Sequence, residues 1–251
     1  MFGSLFRLHP KLHPMKIAIY ISGQPRNFKQ SYTSLKKYFL DKYNCDIYFH
    51  SWKTSIFEST NFGGGNHQYQ LSEEDYNELI ELYQPKKYIL EQPIVFDASG
   101  YKCPIWRQPL NNTLSMFYSL YKAFQLIEGE YDYVVRTRFD LDYSLFNLEF
   151  PEKNINIPEW NTDPNVKHRG FYDVFAFGPQ HLMKIYSEVF SNIISYVTND
   201  PQMMEFLQGG WPGQDSPLRN EYLLKWHLVK NNILINELPT IEKKADVGLI
   251  R

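Results

Sequence analysis

Tyr131–Asp142 reads YDYVVRTRFDLD. Its first half, Tyr131–Arg136, is a short run of β-branched and aromatic residues of the kind that forms a strand. It follows a helical pattern in which Leu114, Phe117, Leu120, Tyr121, Phe124 and Ile127 trace one apolar face, and Gly129 can terminate that helix. A helix feeding directly into an apolar strand is the joint from which parallel α/β sheets are built. Upstream, Lys16–Ser22 (KIAIYIS) reads as a strand ending in the turn signal Gly23-Gln24-Pro25, and Phe28, Tyr32, Leu35 and Phe39 then recur at helical spacing. Asp46–His50 reads as a second strand and Lys87–Leu90 as a third. Between them, Ser72 and Asp75 form a capping box that opens a helix through Tyr76, Leu79, Ile80 and Tyr83 to Pro85. Downstream lie a Pro- and Asn-rich stretch (Pro151–Pro164), a strand Tyr172–Phe177, a helix from about Pro179 to Tyr196, another over about Leu218–Lys230, and a last strand Ile233–Ile235. Alternating strands and helices predict an α/β fold: one domain with a mainly parallel sheet and helices on both faces.

Composition fits that plan. The chain has 251 residues, of which 43 % are hydrophobic and 22 % charged, the balance of a globular protein with a sizeable core. A formal charge of −2 argues against a general nucleic-acid binder. No apolar run is long enough to span a bilayer, which points to a cytoplasmic location. Only Cys45 and Cys103 are present, too few for a disulfide framework or a four-thiolate zinc site. Residues 1–14 read as a tail preceding the domain at 15–251, with peripheral membrane contact through Phe2, Leu5, Phe6 and Leu8 as the alternative. The aromatic share of 17 % suits either a large core or stacking surfaces for sugars, with Trp106, Trp160 and Trp211 in predicted loops. Phe62–His67, which contains Gly63-Gly64-Gly65, lacks the spacing of a phosphate-binding fingerprint and reads as a plain mobile loop.

Ligands of such sheets bind at the carboxyl ends of the strands, so the second half of YDYVVRTRFDLD carries the chemistry. On an extended backbone Asp140 and Asp142 project to one side, and so do Arg136 and Arg138. Two carboxylates on one side would make a hard-oxygen site for Mg²⁺ or Mn²⁺. The guanidiniums would neutralise phosphates or hold the carboxylates in place. An ion-pair cluster at a strand end uses the same residues.

Lys16–Arg26 (KIAIYISGQPR), Asp46–Trp52 (DIYFHSW), Leu114–Phe124 (LSMFYSLYKAF), Val134–Leu141 (VVRTRFDL) and Asp173–Gly178 (DVFAFG) resemble, in the same order, a group of small bacterial and large-virus glycosyltransferases. The resemblance spans roughly residues 15–230. It implies the GT-A fold, a Rossmann-like nucleotide-sugar domain, with a donor half at about 15–142 and an acceptor half at about 143–251. It also implies transfer of a sugar from a nucleoside diphosphate, uridine diphosphate favoured, to a glycan of surface polysaccharide or glycoprotein, with Mn²⁺ or Mg²⁺ at the D-x-D. Carried over by position, Asp142 would be the direct metal ligand and Asp140 would contact the metal or the ribose. Ser22, Gly23, Gln24 and Arg26 would line the nucleotide site.

An inverting transfer needs a base for the acceptor hydroxyl. Asp215 in the loop GWPGQD, Asp173 before VFAFG, and Glu221 at a helix start are the candidates, and dipole stabilisation is an equally good reason for an acidic residue at Glu221. A retaining mechanism would need none of them. His50 and His227 read as structural or solvated, with metal contact as the alternative, and His168, beside Lys167 and Arg169, as part of a basic loop that could at most meet a phosphate or an anionic acceptor. Two other functions share the sequence features. A haloacid dehalogenase-type phosphohydrolase would use Asp140-Leu141-Asp142-Tyr143-Ser144 as its nucleophile loop, though that motif belongs after a first strand. A non-catalytic nucleotide-sugar or glycan-binding module would keep the fold alone.

Overall fold

From Ile17 to Ile21 every side chain of the first strand is fully buried. Alternate residues of a strand face opposite sides of its sheet, so this strand is covered on both faces, as the central strand of a parallel sheet must be. The computed structural model describes residues 15–53, 57–60, 66–69, 71–97, 99–100, 110–146, 154–159, 170–199, 201–208 and 219–238. Their elements run β1 (Lys16–Ser22), α1 (Phe28–Leu35) with a π-helical turn Lys36–Leu40, β2 (Asn44–Trp52), β3 (Phe57–Thr60), β4 (Asn66–Tyr69), α2 (Glu73–Tyr83), β5 (Lys87–Glu91), α3 (Leu110–Gln125) and β6 (Tyr133–Thr137). A 3₁₀ turn at Tyr143–Leu145 follows. Then come β7 (Ile155–Pro158), β8 (Ala176–Gly178), α4 (Gln180–Ser187), α5 (Val189–Asn199), α6 (Pro201–Gln208), α7 (Asn220–Lys230) and β9 (Ile235–Leu238).

Seven strands form one sheet in the order β5-β2-β1-β6-β8-β7-β9, and β3 and β4 form a separate antiparallel pair. β2 and β6 lie parallel to β1, and β5 parallel to β2, whereas β8 runs antiparallel to β6 and β7. The expected mixed α/β single domain with a mainly parallel sheet flanked by helices is therefore what the chain forms. Order and direction create a switch point. The chain leaves β1 outward through β2 and β5, then returns to β1's other side as β6. A crevice opens at the carboxyl ends on either side of such a reversal. Register puts Ile21 level with Phe49 and Thr137, so Ser22 and Arg138 leave the sheet together at that edge.

The two faces are packed differently. Phe49 stands edge-on to Phe139, which packs against Tyr83 of α2, and the Tyr83 hydroxyl donates to the Phe28 carbonyl at 2.9 Å. On the other face Tyr20 meets Phe124 of α3 with ring centroids 5.5 Å apart. The Ser72–Asp75 capping box forms as expected: Asp75 N–H donates to Ser72 Oγ (3.2 Å) and Ser72 N–H to Asp75 Oδ2 (2.9 Å).

Four expectations shift. The helix over 179–196 is two helices, because Glu188 N–H bonds the Ile185 carbonyl and closes α4 before α5 begins. The Pro/Asn-rich stretch contains β7, whose Ile155 and Ile157 are fully buried and whose proline sits at its last position, where it ends the ladder. The last strand starts at Ile235 rather than Ile233: Asn232 adopts a left-handed φ of 55°, and Ile233 N–H is drawn back to the Leu228 carbonyl. His67, expected in a loop, lies in β4. Among the described residues no helix is long and apolar enough to cross a membrane. The expected tail at residues 1–14 lies outside the described residues.

Candidate functional site

The carboxyl end of β1 turns at Gly23, whose φ of 114° is a conformation that side chains disfavour. Its N–H is held twice, by the Ser119 hydroxyl at 3.0 Å and by the His50 carbonyl at 3.3 Å. Ser119 in turn lies 2.8 Å from His50 Nδ1, and His50 Nε2 lies 2.6 Å from Glu91 Oε1. Nε2–H donates to the carboxylate, so Nδ1 accepts the serine proton. Burial holds the His50 pKa below its ordinary value against the upward pull of Glu91. His50 and Ser119 are 0 % and 1 % exposed, so this Ser–His–Glu arrangement anchors a turn. Beyond Gly23 the turn continues with Arg26 N–H on the Gln24 carbonyl (2.9 Å), and a cleft of about 280 Å³ opens beside Arg26, lined also by Pro25, Asn27, Phe28 and Leu71.

Thr137–Asp142 meets this turn from β6. The strand-like alternation expected of Arg138, Asp140 and Asp142 ends in a turn at Phe139–Asp140, and Phe139 and Leu141 are both fully buried. Asp140 therefore faces Arg26 and Arg138. Arg138 donates Nε to Oδ1 at 2.8 Å and Nη2 to Oδ2 at 2.7 Å, a two-pronged fork, and Arg26 Nη2 lies 3.7 Å from Oδ2. Asp142 reaches the other end of α1 instead. Its Oδ1 accepts the Ser34 hydroxyl (2.8 Å) and Ser144 N–H (2.9 Å), which makes it the cap of the 3₁₀ turn. Burial opposes ionisation of Asp142, but these donors outweigh it and hold its carboxyl below the usual range. Between the two aspartates the Ser31 hydroxyl donates to the Leu141 carbonyl at 2.9 Å, and just beyond them Tyr143 N–H donates to Ser34 at 2.8 Å. The segment is thus stitched along α1 by two serines, and its aspartates do not share one side as the extended reading required.

On the opposite face of β6, Arg136 is 1 % exposed, and its Nε and Nη1 have no hydrogen-bond partner among the described residues; the same holds for the buried hydroxyls of Tyr20 and Tyr186. The charge of Arg136 acts on Asp173, in the loop before β8. Gly170 brings that loop onto the start of α7: Phe171 N–H bonds the Glu221 carbonyl at 3.1 Å, and a Cβ at Gly170 would lie 2.3 Å from the Glu221 Cβ. The result is a carboxyl pair. Burial raises the Asp173 pKa although Arg136 and Arg138 pull it down, and burial together with the charge of Asp173 pushes Glu221 up to about 7. A helix N-terminus alone would have lowered Glu221.

The structure thus gathers Ser22, Gly23, Gln24, Arg26, Arg136, Arg138, Asp140, Asp173 and Glu221 around the β1/β6 edge, and turns Asp142 away along α1. Asp215 lies outside the described residues, as do Gly63–Gly65, Cys103, Trp106, Trp160, His168 and Trp211. His227 is structural: Tyr196 Oη lies 2.7 Å from Nδ1, and Nε2–H donates to the Ile185 carbonyl at 2.7 Å. Sequence reasoning missed Ser31, Ser34 and Ser119. Serines at i and i+3 on one helix face were the only signal for the first two. The phosphohydrolase reading requires an accessible nucleophilic oxygen on Asp140, and the Arg138 fork covers both oxygens.

No protein-family model and no curated protein matches this chain. Among solved structures, it is similar to the crystal structure of mouse xyloside xylosyltransferase 1 in its apo form, with 12 % sequence identity, a TM-score of 0.45, and coverage of 89 % of this chain and 84 % of that one.

Proposed function

We propose that this chain is a glycosyltransferase that takes a sugar from a nucleoside diphosphate donor and delivers it to a hydroxyl of a glycan acceptor. The observation that carries the reading is the meeting, at one sheet edge, of the Gly23 turn, the Arg26–Asp140–Arg138 cluster and the Asp173–Glu221 pair. Each has a part in that chemistry. The glycine turn lets backbone approach a nucleotide closely. The arginines offer positive charge where a diphosphate leaves. A carboxyl titrating near 7 is matched to take a proton from a hydroxyl at neutral pH.

In the proposed reaction the acceptor oxygen attacks the anomeric carbon while the bond from that carbon to the diphosphate oxygen breaks. The electron pair of that bond leaves with the nucleoside diphosphate, and the hydroxyl proton goes to Glu221. A single displacement of this kind inverts the anomeric centre. Burial, with the neighbouring charge of Asp173, keeps Glu221 basic. Arg138, fixed by Asp140, holds the leaving group in one orientation.

A panel of nucleoside diphosphate sugars with glycan acceptors tests the reading. Release of nucleoside diphosphate that depends on acceptor, and that falls about 10²- to 10⁴-fold in Glu221→Gln, is the expected result. Binding of a donor with no turnover on any acceptor would leave only a binding module.

A further inference from the structure

We infer that the diphosphate of the donor is neutralised by the guanidiniums of Arg26 and Arg138, with no divalent ion held between it and Asp140 or Asp142. This deepens the proposed function and rests on its reading of a nucleoside diphosphate ligand.

The D-x-D residues do not fit a metal site. Mg²⁺ and Mn²⁺ take oxygen ligands in near-octahedral array, with at least one carboxylate oxygen open to the ion. Both oxygens of Asp140 are taken by Arg138, at 2.8 and 2.7 Å, and Oδ2 has Arg26 at 3.7 Å besides. A cation about 2.1 Å from either oxygen would sit against a guanidinium whose nitrogen already touches that same oxygen, two positive centres on one acceptor. Asp142 spends Oδ1 on Ser34 and Ser144 at the far end of α1, so its remaining oxygen, Oδ2, would meet an ion as a lone carboxylate ligand without Asp140 beside it. Among the described residues no group of three or more His, Cys, Asp or Glu side chains could hold a metal ion.

The same geometry makes an anion site. Arg26, Arg136 and Arg138 stand against two carboxylates, Asp140 between Arg26 and Arg138 and Asp173 beside Arg136 and Arg138, which leaves one net positive charge. The side chains of Arg26 and Arg138 are 21 % and 23 % exposed, against 7 % for Asp140, so the cations are more open to solvent than the counter-ion between them, and Arg26 lines the cleft beside the turn. The fork on Asp140 uses two of the five N–H donors of Arg138. A guanidinium locked in this way presents its remaining donors with little orientational freedom, which suits a planar, two-pronged grip on phosphate oxygens. Asp140 is in this account a positioning residue.

Isothermal titration of the full chain with uridine diphosphate, in EDTA and again in excess Mn²⁺, tests the inference. Affinities within about twofold of each other in the two buffers are expected. Asp142→Asn, which keeps the capping acceptor, is expected to bind like wild type. Arg138→Gln and Arg26→Gln, each checked for an unchanged circular-dichroism spectrum, are expected to bind at least tenfold and threefold more weakly. Should Arg138→Gln fail to fold, Arg26→Gln carries the test. Binding that requires Mn²⁺ and is lost in Asp142→Asn would overturn the inference and leave the glycosyltransferase reading standing. Metal-independent binding that ignores both arginines would overturn it as well. If uridine, guanosine, adenosine and cytidine diphosphates all fail to bind in either buffer, the proposed function falls and takes this inference with it.

Discussion

His50 and Ser119 are joined by a 2.8 Å hydrogen bond directly beneath the turn at Gly23. The bond links β2 to α3, and through Glu91 to β5, so the backbone at the carboxyl end of β1 rests on three other elements. This support makes the left-handed turn a fixed feature of the site.

Ser119→Ala removes both the acceptor for Gly23 N–H and the donor to His50 Nδ1. Stranding a buried polar group costs about 1–3 kcal/mol. A loss of that size in urea denaturation is expected, together with weaker nucleotide binding because the turn is released. An unchanged midpoint would show that water replaces the hydroxyl.

The Glu221 carboxyl moves from an ordinary 4.5 to about 7 on folding. The folded state then holds a proton that the unfolded chain releases, so this group's contribution is fully present below pH 4.5 and is lost as pH rises through about 7. His50 and His227 act in the opposite sense: burial lowers both, so their contribution grows as pH rises toward 6.5. Melting temperatures of wild type and Glu221→Gln across pH 4–8 isolate the carboxyl. The advantage of the glutamine variant is expected to grow as pH rises. In turnover, the acid limb near 7 belongs to the Asp173–Glu221 pair as a unit, and Glu221→Gln is expected to remove it.

Gly170→Ala would place a Cβ 2.3 Å from the Glu221 Cβ and 2.4 Å from its carbonyl carbon. Backbone cannot swing aside as a flexible side chain does. A destabilisation of about 1–3 kcal/mol is expected from the overpacking, read as a fall in melting temperature. Displacement of Glu221 should lower turnover further than that stability loss alone. A variant with wild-type melting temperature and turnover would contradict the close approach.

Asp142→Ala removes the cap of the 3₁₀ turn and leaves Ser34 without its acceptor. Cap loss costs about 1 kcal/mol, whereas Asp142→Asn keeps the acceptor and is expected to stay within about 0.5 kcal/mol of wild type. Denaturant midpoints of the two variants, measured side by side, check the difference. Equal losses in both would mean that the charge, and not the cap, is what the structure uses.

The N-terminal half of the fold was readable from residue patterns because its signals are local. The alternation in KIAIYIS, the spacing of Leu114 to Ile127 and the Ser72–Asp75 box each specify an element within one window. β7 was hidden because Ile155 and Ile157 stand among Pro and Asn, and only pairing with β8 and β9 makes that run a strand. The site was legible in which residues it uses and less so in how they are aimed. Alternation places Asp140 beside Asp142 only while the backbone stays extended, and the turn at Phe139 depends on burying its ring between Phe49 and Tyr83. The closeness of Asp173 and Glu221 was equally out of reach, since it depends on Gly170 packing against a helix some fifty positions later.

The position of β1 inside the sheet, between β2 and β6, also sets a timetable for synthesis. Its partner β2 follows within about thirty residues, with Lys16 in register with Asn44. Its other partner arrives only with Tyr133–Thr137. A chain growing from its N-terminus therefore carries β1, β2 and β5 with one apolar edge unpaired until β6 emerges, the kind of edge on which chains aggregate. Every nascent chain that stalls before Thr137 exposes that edge, and the crevice itself comes into being only when β6 closes it.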